Sequence, residues 1–233
     1  MYSVNWQREI RITKLNDKIV VIKKDRKTKE MNEYLLVFMY SFISVLLLHP
    51  SAPPRIGKSV IINEGEDNRK RLKRFGVSTP ILYYINNNTI VEEYIEEGNL
   101  YKYLKKTKDL DIVFTVGVIT GRLHNAGFCF IDNKAQNYLV KNSSILRTDL
   151  GLIQSATSTF AKSLDLGLFL GSLIDLEQEK YKKIEELFLM GYKSESKGKI
   201  PKLSIIIRNI ASLGLSSNHH NLIKNLLKKT DIK

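Results

Sequence analysis

Cysteine is almost absent from this chain. A single cysteine, Cys129, occurs in 233 residues, which excludes a disulfide framework within the chain and a zinc site built from several cysteines. Cys129 stands between Phe128 and Phe130, and this apolar setting favours core packing over nucleophilic chemistry. The start of the chain is polar and charged and has no apolar signal core, so a cytoplasmic location is the expectation.

Long hydrophobic runs are equally scarce. The longest covers residues 34–48 and is closed by His49-Pro50. A helix of that length rises roughly 22 Å, less than the roughly 30 Å hydrocarbon core of a bilayer, so we expect no transmembrane span. A buried helix is the favoured interpretation. A docking surface for a partner protein is the alternative, and membrane association is the least favoured.

The composition otherwise indicates a soluble globular protein, because 43% of the residues are hydrophobic and 26% are charged. A net charge of +13 favours contact with tRNA or another polyanion, although a solvated lysine-rich surface explains it equally well. The basic runs are not interleaved with aromatic residues as in RNA-binding motifs. Adjacent histidines cannot share a helix face, so His219-His220 predict a surface loop and not a metal site.

Three oxygen-bearing side chains form the most informative pattern. Asp132 and Asn137 are five residues apart, and Asp149 follows after two apolar pairs that suggest a short β-hairpin. The three side chains can therefore meet at one end of the hairpin. Phosphoryl transfer uses such a set, with one carboxylate to orient the attacking hydroxyl and an amide and a second carboxylate to hold magnesium. Ordinary turn chemistry is the alternative for either pair alone.

These residues resemble the catalytic loop H-x-D-x-x-x-x-N and the metal turn D-F-G of the protein-kinase-like fold. Phe130, Asp132 and Asn137 match the loop, and Asp149-Leu150-Gly151 match the turn. The lead-in at residues 123–127 is similar to the L-H-x-x-G of RIO-like and other atypical kinases.

Residues 161–166 are similar to the K-A-V-D-L of the small kinase of the KEOPS tRNA-modification complex. About ten residues separate this motif from the metal turn, which leaves no room for a full activation segment. The resemblance is therefore to the KEOPS-type kinase more than to ordinary protein kinases.

The resemblance assigns roles in the first half of the chain. The β-rich segments 9–13 and 18–24 predict a hairpin. In the family, a phosphate-binding loop with an acidic residue opens this hairpin and a lysine near its end binds the phosphates. Glu9 would correspond to the acidic residue and Lys23 to the lysine. That loop, at residues 7–10, lacks the glycine and small residues that let backbone amides approach phosphates.

A charged helix predicted at 59–75 would supply a glutamate partner for Lys23, with Glu66 preferred over Glu64. Either acid is alternatively a first-turn residue that helps the helix dipole. A second hairpin, at 81–85 and 89–95, ends in a hinge whose backbone at Glu93 and Ile95 would meet the adenine.

The same resemblance gives Asp132 the task of orienting the acceptor, and it places Lys134 near the transferred phosphate. Asn137 and Asp149 would hold Mg²⁺ against ATP. We expect an α+β, two-lobed, protein-kinase-like fold, with a small β-rich N-lobe at 1–95 and a helical C-lobe at 96–233 that carries the catalytic loop (128–140) and the metal turn (149–151). After the hinge, apolar periodicity predicts helices at 100–106, 112–125, 163–174, 184–192, 203–213 and 222–229.

The function implied is that of an atypical serine/threonine protein kinase or ATPase. A degenerate kinase that acts as a binding module is the alternative, and a small-molecule phosphotransferase is a weaker one.

Overall fold

The computed structural model describes residues 8–215, with side chains up to residue 212. The predicted features at Gln7, at His219-His220 and at 222–229 lie outside these residues. A four-stranded antiparallel sheet forms first, in the order β1-β2-β4-β3. Its strands are β1 (Arg8–Leu15), β2 (Lys18–Asp25), β3 (Leu82–Ile85) and β4 (Thr89–Glu93).

Helices dominate the rest of the described chain. Three of them lie between β2 and β3, and five follow β4, interrupted by two short strand pairs, β5-β8 and β6-β7. The helices are α1 (Lys29–Leu46), α2 (Lys58–Glu64), α3 (Glu66–Lys73), α4 (Leu100–Lys106), α5 (Ile112–Asn125), α6 (Thr159–Gly171), α7 (Gln178–Glu195) and α8 (Leu203–Leu215). The short strands are β5 (Phe128–Cys129), β6 (Tyr138–Lys141), β7 (Ser144–Arg147) and β8 (Gln154–Ser155).

Two tight turns set the register of the hairpins. Asn16 and Asp17 join β1 to β2 with φ of 46° and 62°, and Asn142 and Ser143 join β6 to β7 with φ of 49° and 59°. Two consecutive residues at positive φ match the right-handed twist of the strands, and Asn and Asp tolerate this conformation best. The second turn brings the residues before β6 and after β7 to the same end of the hairpin.

The expectation of a buried helix at 34–48 is wrong. Helix α1 does form there, but only Glu33, Tyr40 and Ser44 of it are buried. Tyr40 packs edge-on against Phe160 at a ring distance of 4.9 Å, and its hydroxyl is 2.8 Å from Ser51 Oγ. Only one side of α1 packs against the C-terminal half. The opposite side is apolar and exposed.

The charged helix predicted at 59–75 is divided in two. Gly65 leaves the helical region with ψ of 170° and separates α2 from α3, since glycine is the weakest helix former after proline. This break turns Glu64, the last residue of α2, inward and leaves Glu66 exposed on the first turn of α3.

Glycines allow the helices of the C-terminal half to approach closely. A Cβ atom on Gly117 of α5 would lie 2.1 Å from the Phe188 carbonyl oxygen of α7, and one on Gly191 of α7 would lie 2.1 Å from the Phe114 carbonyl oxygen of α5. A Cβ on Gly167 of α6 would lie 2.7 Å from a side-chain carbon of Ile207 of α8. The backbones of both helix pairs are therefore in direct contact.

The arrangement confirms the predicted α+β, two-lobed architecture, with a small sheet on the N-terminal side and a helical body after it. The main core lies in the helical body and is built from buried side chains of α3 to α7, of the β6–β7 hairpin and of the segments between them. Among residues 8–215, no helix has both the length and the apolarity needed to cross a membrane.

Candidate active site

The loop between β5 and β6 is held in a strained conformation by one buried carboxylate. Ile131 has φ of 66°, which is costly for a β-branched residue. Asp165 of α6 accepts the backbone N–H groups of Phe130 at 2.6 Å and of Ile131 at 2.7 Å. His124 Nε2 lies 3.0 Å from the same carboxylate, whose acceptor character makes Nε2 the protonated nitrogen. Asp165 therefore positions the loop that carries Asp132.

Cys129 joins His124 and Asp165 in a compact group, with their polar atoms within 4.8 Å of one another. Asp165 already accepts two backbone N–H bonds, which occupy the carboxylate as a structural anchor. Burial raises the pKa of the Cys129 thiol and so opposes formation of the thiolate that a metal needs. The group therefore packs the core, in line with the expectation for Cys129.

Asp132, Lys134 and Asn137 form a hydrogen-bonded unit. Asn137 Nδ2 donates to the Asp132 carbonyl at 2.8 Å and to its Oδ2 at 3.0 Å. Lys134 Nζ lies 2.7 Å from Asp132 Oδ1, and the Asp132 side chain keeps 27% of its surface exposed. Because the amide nitrogen of Asn137 makes both contacts, its Oδ1 is the atom suited to bind a cation. Asp132 remains accessible to an acceptor.

Phe130 stands where the related loops carry histidine, and an arginine supports it. The Arg147 guanidinium lies 4.8 Å from the ring centres of both Phe130 and Tyr138, and it is fully buried. Its Nη2 donates to the Asp132 carbonyl at 2.7 Å. A guanidinium stacked on aromatic faces is attracted by the ring quadrupoles. Arg147 thus ties the end of β7 to the loop beside Asp132.

Asp149 follows β7 and faces two cations. The Thr148 N–H donates to the Asn137 carbonyl at 3.0 Å, which brings the two loops together, and Asp149 adopts φ of 54°. Asp149 Oδ1 lies 3.1 Å from Lys23 Nζ and 3.7 Å from Arg8 Nη1. Burial by itself would raise the pKa of Asp149, but Lys23 and Arg8 outweigh it and hold the pKa well below the ordinary value. Asp149 is therefore a carboxylate throughout the physiological range.

The ammonium group of Lys23 is fully engaged. It contacts Glu92 Oε1 at 2.6 Å, Thr148 Oγ1 at 2.5 Å and Asp149 Oδ1 at 3.1 Å. Burial lowers the pKa of Lys23, but the neighbouring carboxylates, Asp149 foremost, raise it above the ordinary value. An ammonium has three N–H donors, so each of them has a protein acceptor. A phosphate can bind Lys23 only by replacing one of these acceptors.

The preference for Glu66 as the partner of Lys23 is not met by the geometry. Glu66 is exposed, whereas Glu64 is buried and its Oε1 accepts from Arg8 Nη1 at 2.9 Å. Arg69 Nη2 lies 3.2 Å from Glu92 Oε2 and 3.8 Å from Glu64 Oε2. The carboxylate that contacts Lys23 from the sheet is thus Glu92, and Arg69 links it to Glu64.

The hinge follows directly after β4. The Glu93 N–H donates to the Ile81 carbonyl at 2.9 Å, and the Ile95 carbonyl accepts from the Gly98 N–H at 3.3 Å. The Glu93 carboxylate pairs with Lys141 on the β6–β7 hairpin. Beside the hinge is an open cavity of about 490 Å³, which is lined by residues 94–97, 141 and 142. Lys23, Glu92 and Asp149 do not line it.

Several residues of the site carry no role in the sequence interpretation, among them Arg8, Glu92, Arg147 and Asp165. Two of them leave a signal in the sequence. Glu92 is two residues from Ile90, so the alternation of a strand places it on the same inward face. Asp165 is the aspartate of the K-A-V-D-L-like motif. Arg8 and Arg147 leave no comparable signal, because Arg8 reaches Glu64 and Asp149 across distant parts of the chain and nothing distinguishes Arg147 from an ordinary strand residue.

The fold is that of the two-lobed, protein-kinase-like class. No family profile matches the chain. Curated proteins do match it over about half its length. It is 29% identical over 138 residues to the "KEOPS complex subunit Bud32" of Pyrococcus abyssi. The aligned region covers 56% of this chain and 63% of that protein.

Two further relatives point in the same direction. The chain is 29% identical over 126 residues to the "Probable serine/threonine-protein kinase BUD32 homolog" of Archaeoglobus fulgidus, which covers 53% of this chain and 60% of that protein. It is 30% identical over 126 residues to a "Probable bifunctional tRNA threonylcarbamoyladenosine biosynthesis protein" of Methanosphaera stadtmanae, with 53% of this chain and 24% of that protein covered. The chain thus spans less than a quarter of the bifunctional relative. These relatives confirm the predicted resemblance to KEOPS-type atypical kinases.

Proposed function

We propose that the protein is a small atypical kinase or ATPase that uses Mg-ATP and acts in tRNA modification of the KEOPS type. The observation that carries the proposal is the convergence of Asp132, Asn137 and Asp149, with Lys23 in direct contact with Asp149. Phosphoryl transfer is mostly positioning and electrostatics, and this set offers the required groups. The relatives named as a KEOPS subunit and as a serine/threonine-protein kinase support the choice.

Each residue has a defined task in this proposal. Asp132 orients the acceptor hydroxyl or water, because its carboxylate is partly exposed and fixed by Asn137. Lys134, 2.7 Å from Asp132, faces the same space and would contact the transferred phosphate. Lys23 would hold the phosphates after leaving one of its protein acceptors.

The donor set fits magnesium. Asn137 Oδ1 and the ionised Asp149 carboxylate would hold the ion, and oxygen atoms of this kind are its preferred ligands. When bound, the ion neutralises charge on the phosphates. The backbone of Glu93 and Ile95 would receive the adenine edge, and Glu66 keeps no contact with the nucleotide in this scheme.

Partners and location complete the proposal. A protein partner covers the apolar face of α1. One relative is named as a subunit of a complex. The net charge of +13 suits contact with tRNA or another polyanion, and a cytoplasmic location suits relatives named for tRNA modification. The division between an N-lobe at 1–95 and a C-lobe at 96–233 is part of the same proposal.

A binding module is the second candidate, and one observation favours it. Lys23 has all its donors engaged by Glu92, Thr148 and Asp149, so the site is stable without a nucleotide. A degenerate kinase that acts as a binding module requires only such a stable site and no nucleotide. A small-molecule phosphotransferase stays a weaker alternative.

Calorimetric titration with ATP, with and without Mg²⁺, tests the proposal. Asp149→Asn should lower the magnesium-dependent affinity by at least about tenfold, or about 1.4 kcal/mol, because the ion loses a charged ligand. The control is Asp67→Asn, which removes an equal charge from the exposed start of α3. Equal affinity of wild type and Asp149→Asn would refute the metal role, and absence of binding in wild type would favour the binding module.

A further inference from the structure

Helix α1 presents an apolar outer face that nothing in the described chain covers. We define the outer face by six large side chains, each between 43% and 66% exposed: Met31, Leu35, Phe38, Met39, Phe42 and Leu46. Each residue of an α-helix is rotated by about 100° from the one before it, and these six positions therefore fall within one sector of roughly 100° around the helix axis. Phe38 and Phe42 stack on each other with ring centres 6.0 Å apart. The buried residues of α1 lie on the opposite side.

The size of this face indicates a stable contact. If each side chain is given the roughly 150–250 Å² of an aromatic residue, the outer face and its neighbours Tyr34 and Val45 expose on the order of 900 Å². The largest apolar patch of a soluble monomer is about 300–600 Å², whereas a stable interface buries about 800 Å² on each partner. Together with Tyr34 and Val45, the outer face is therefore large enough for a dimer interface.

The pattern of side chains is nearly symmetric along the helix. Reflection about the point between Phe38 and Met39 exchanges these two residues and also exchanges Leu35 with Phe42 and Met31 with Leu46. A two-fold axis at this point would place each residue opposite an apolar partner on a second, antiparallel α1. Two-fold contacts require this kind of self-complementarity, because the same patch serves on both sides.

The absence of charged residues from most of the outer face also favours a second copy as the partner. Residues 34–48 contain no Lys, Arg, Asp or Glu, so two copies of the outer face meet without like charges at the contact. The net charge of +13 opposes association only at longer range, where salt screens it. A partner recognised through charge complementarity would require ionic groups that this face lacks.

We infer that the partner of α1 is a second copy of this chain, bound through the outer face in an antiparallel two-fold helix pair. The inference rests on the proposed partner surface and is independent of the proposed catalysis. Measurements of molecular mass and crosslinking can refute dimerisation through α1 without affecting the proposed catalysis.

Cysteine crosslinking tests the symmetry directly, since native Cys129 is fully buried. Packed helix axes are about 8–10 Å apart, within reach of a short bismaleimide. Met39→Cys, next to the axis, should crosslink to itself. Met31→Cys and Leu46→Cys should crosslink when mixed, and neither should do so alone. Self-crosslinking of Met31→Cys would indicate a parallel pair and overturn the antiparallel arrangement.

Light scattering at increasing protein concentration tests the association. Wild type should have the mass of a dimer, and the dimer should strengthen from low to high salt. Phe42→Glu should be monomeric with a melting temperature close to that of wild type, because this side chain is 53% exposed. Met190→Glu is the matched control, since Met190 is 51% exposed on α7, and it should remain dimeric.

Three outcomes would overturn the inference. Wild type that is monomeric at every concentration leaves the outer face to a different protein. Monomeric wild type that sediments with anionic lipid vesicles assigns it to a membrane surface. A dimer that survives Phe42→Glu places the interface elsewhere.

Discussion

Asp165→Asn should destabilise the protein more than any exposed charge change. In wild type, Asp165 Oδ1 accepts from the Ile131 N–H at 2.7 Å, and Oδ2 accepts from the Phe130 N–H at 2.6 Å and from His124 Nε2 at 3.0 Å. Asparagine offers one acceptor oxygen and one NH₂ group. Whichever way the amide is turned, at least one buried N–H donor then faces another donor.

The expected loss follows from these contacts. A buried donor without an acceptor costs about 1–3 kcal/mol, and each hydrogen bond to a charged acceptor contributes about 1.5–3 kcal/mol. Ile131 is also held at positive φ, a conformation that costs about 1–3 kcal/mol and persists only while its surroundings impose it. We therefore expect a loss of about 3–5 kcal/mol in the free energy of unfolding.

Urea denaturation followed by circular dichroism measures this loss. With a slope of about 1–3 kcal/mol per molar urea, the midpoint should fall by more than about 1 M. Asp67→Asn makes the same change in charge on the exposed start of α3 and should leave the midpoint unchanged. A shift as small as that of the control would refute the conclusion that Asp165 holds the loop.

Two further predictions concern turnover and alkaline stability. Asp132→Ala should lower the rate of ATP hydrolysis or autophosphorylation by a factor of ~10²–10⁴ with little effect on ATP affinity. The control Asp67→Ala should match wild type. An unchanged rate in Asp132→Ala would mean that Asp132 is only a turn residue. Burial raises the pKa of Tyr181 to about 12. Above about pH 10 the unfolded chain loses this proton first, so the free energy of unfolding should fall by up to about 1.4 kcal/mol per pH unit until about pH 12. Tyr181→Phe should flatten this part of a pH-resolved denaturation series, and an unaltered slope would show that Tyr181 is not responsible.

Local patterns were sufficient for much of the helical half. The apolar periodicity predicts helices at 100–106 and 112–125, and α4 and α5 have those bounds. The spacing of Asp132, Asn137 and Asp149 predicts that they lie at one end of a hairpin. Asp132 and Asn137 are hydrogen-bonded there, and the N–H of Thr148, the neighbour of Asp149, donates to the Asn137 carbonyl. In both cases the information lies within a short stretch of chain.

The charged cluster around Lys23 depends on contacts that are distant in sequence. Glu92 and Thr148 reach Lys23 from elements 69 and 125 positions away, and no pattern near Lys23 indicates them. The choice between Glu64 and Glu66 depended on a helix break at Gly65, which reverses the side that each acid faces. The apolar run at 34–48 predicted a helix correctly, but apolar composition does not reveal whether a surface faces the core or a partner.

The glycine contacts between α5 and α7 limit how the protein can move. The carbonyl of Phe188 lies where Gly117 would have its Cβ, and the carbonyl of Phe114 lies where Gly191 would have its own. Sliding one helix along the other would drive Cβ atoms of neighbouring residues into these carbonyls. Helices α5 and α7 are therefore locked against sliding past each other, and we expect a rearrangement that releases Lys23 from Glu92 or Asp149 to leave this helix pair in place.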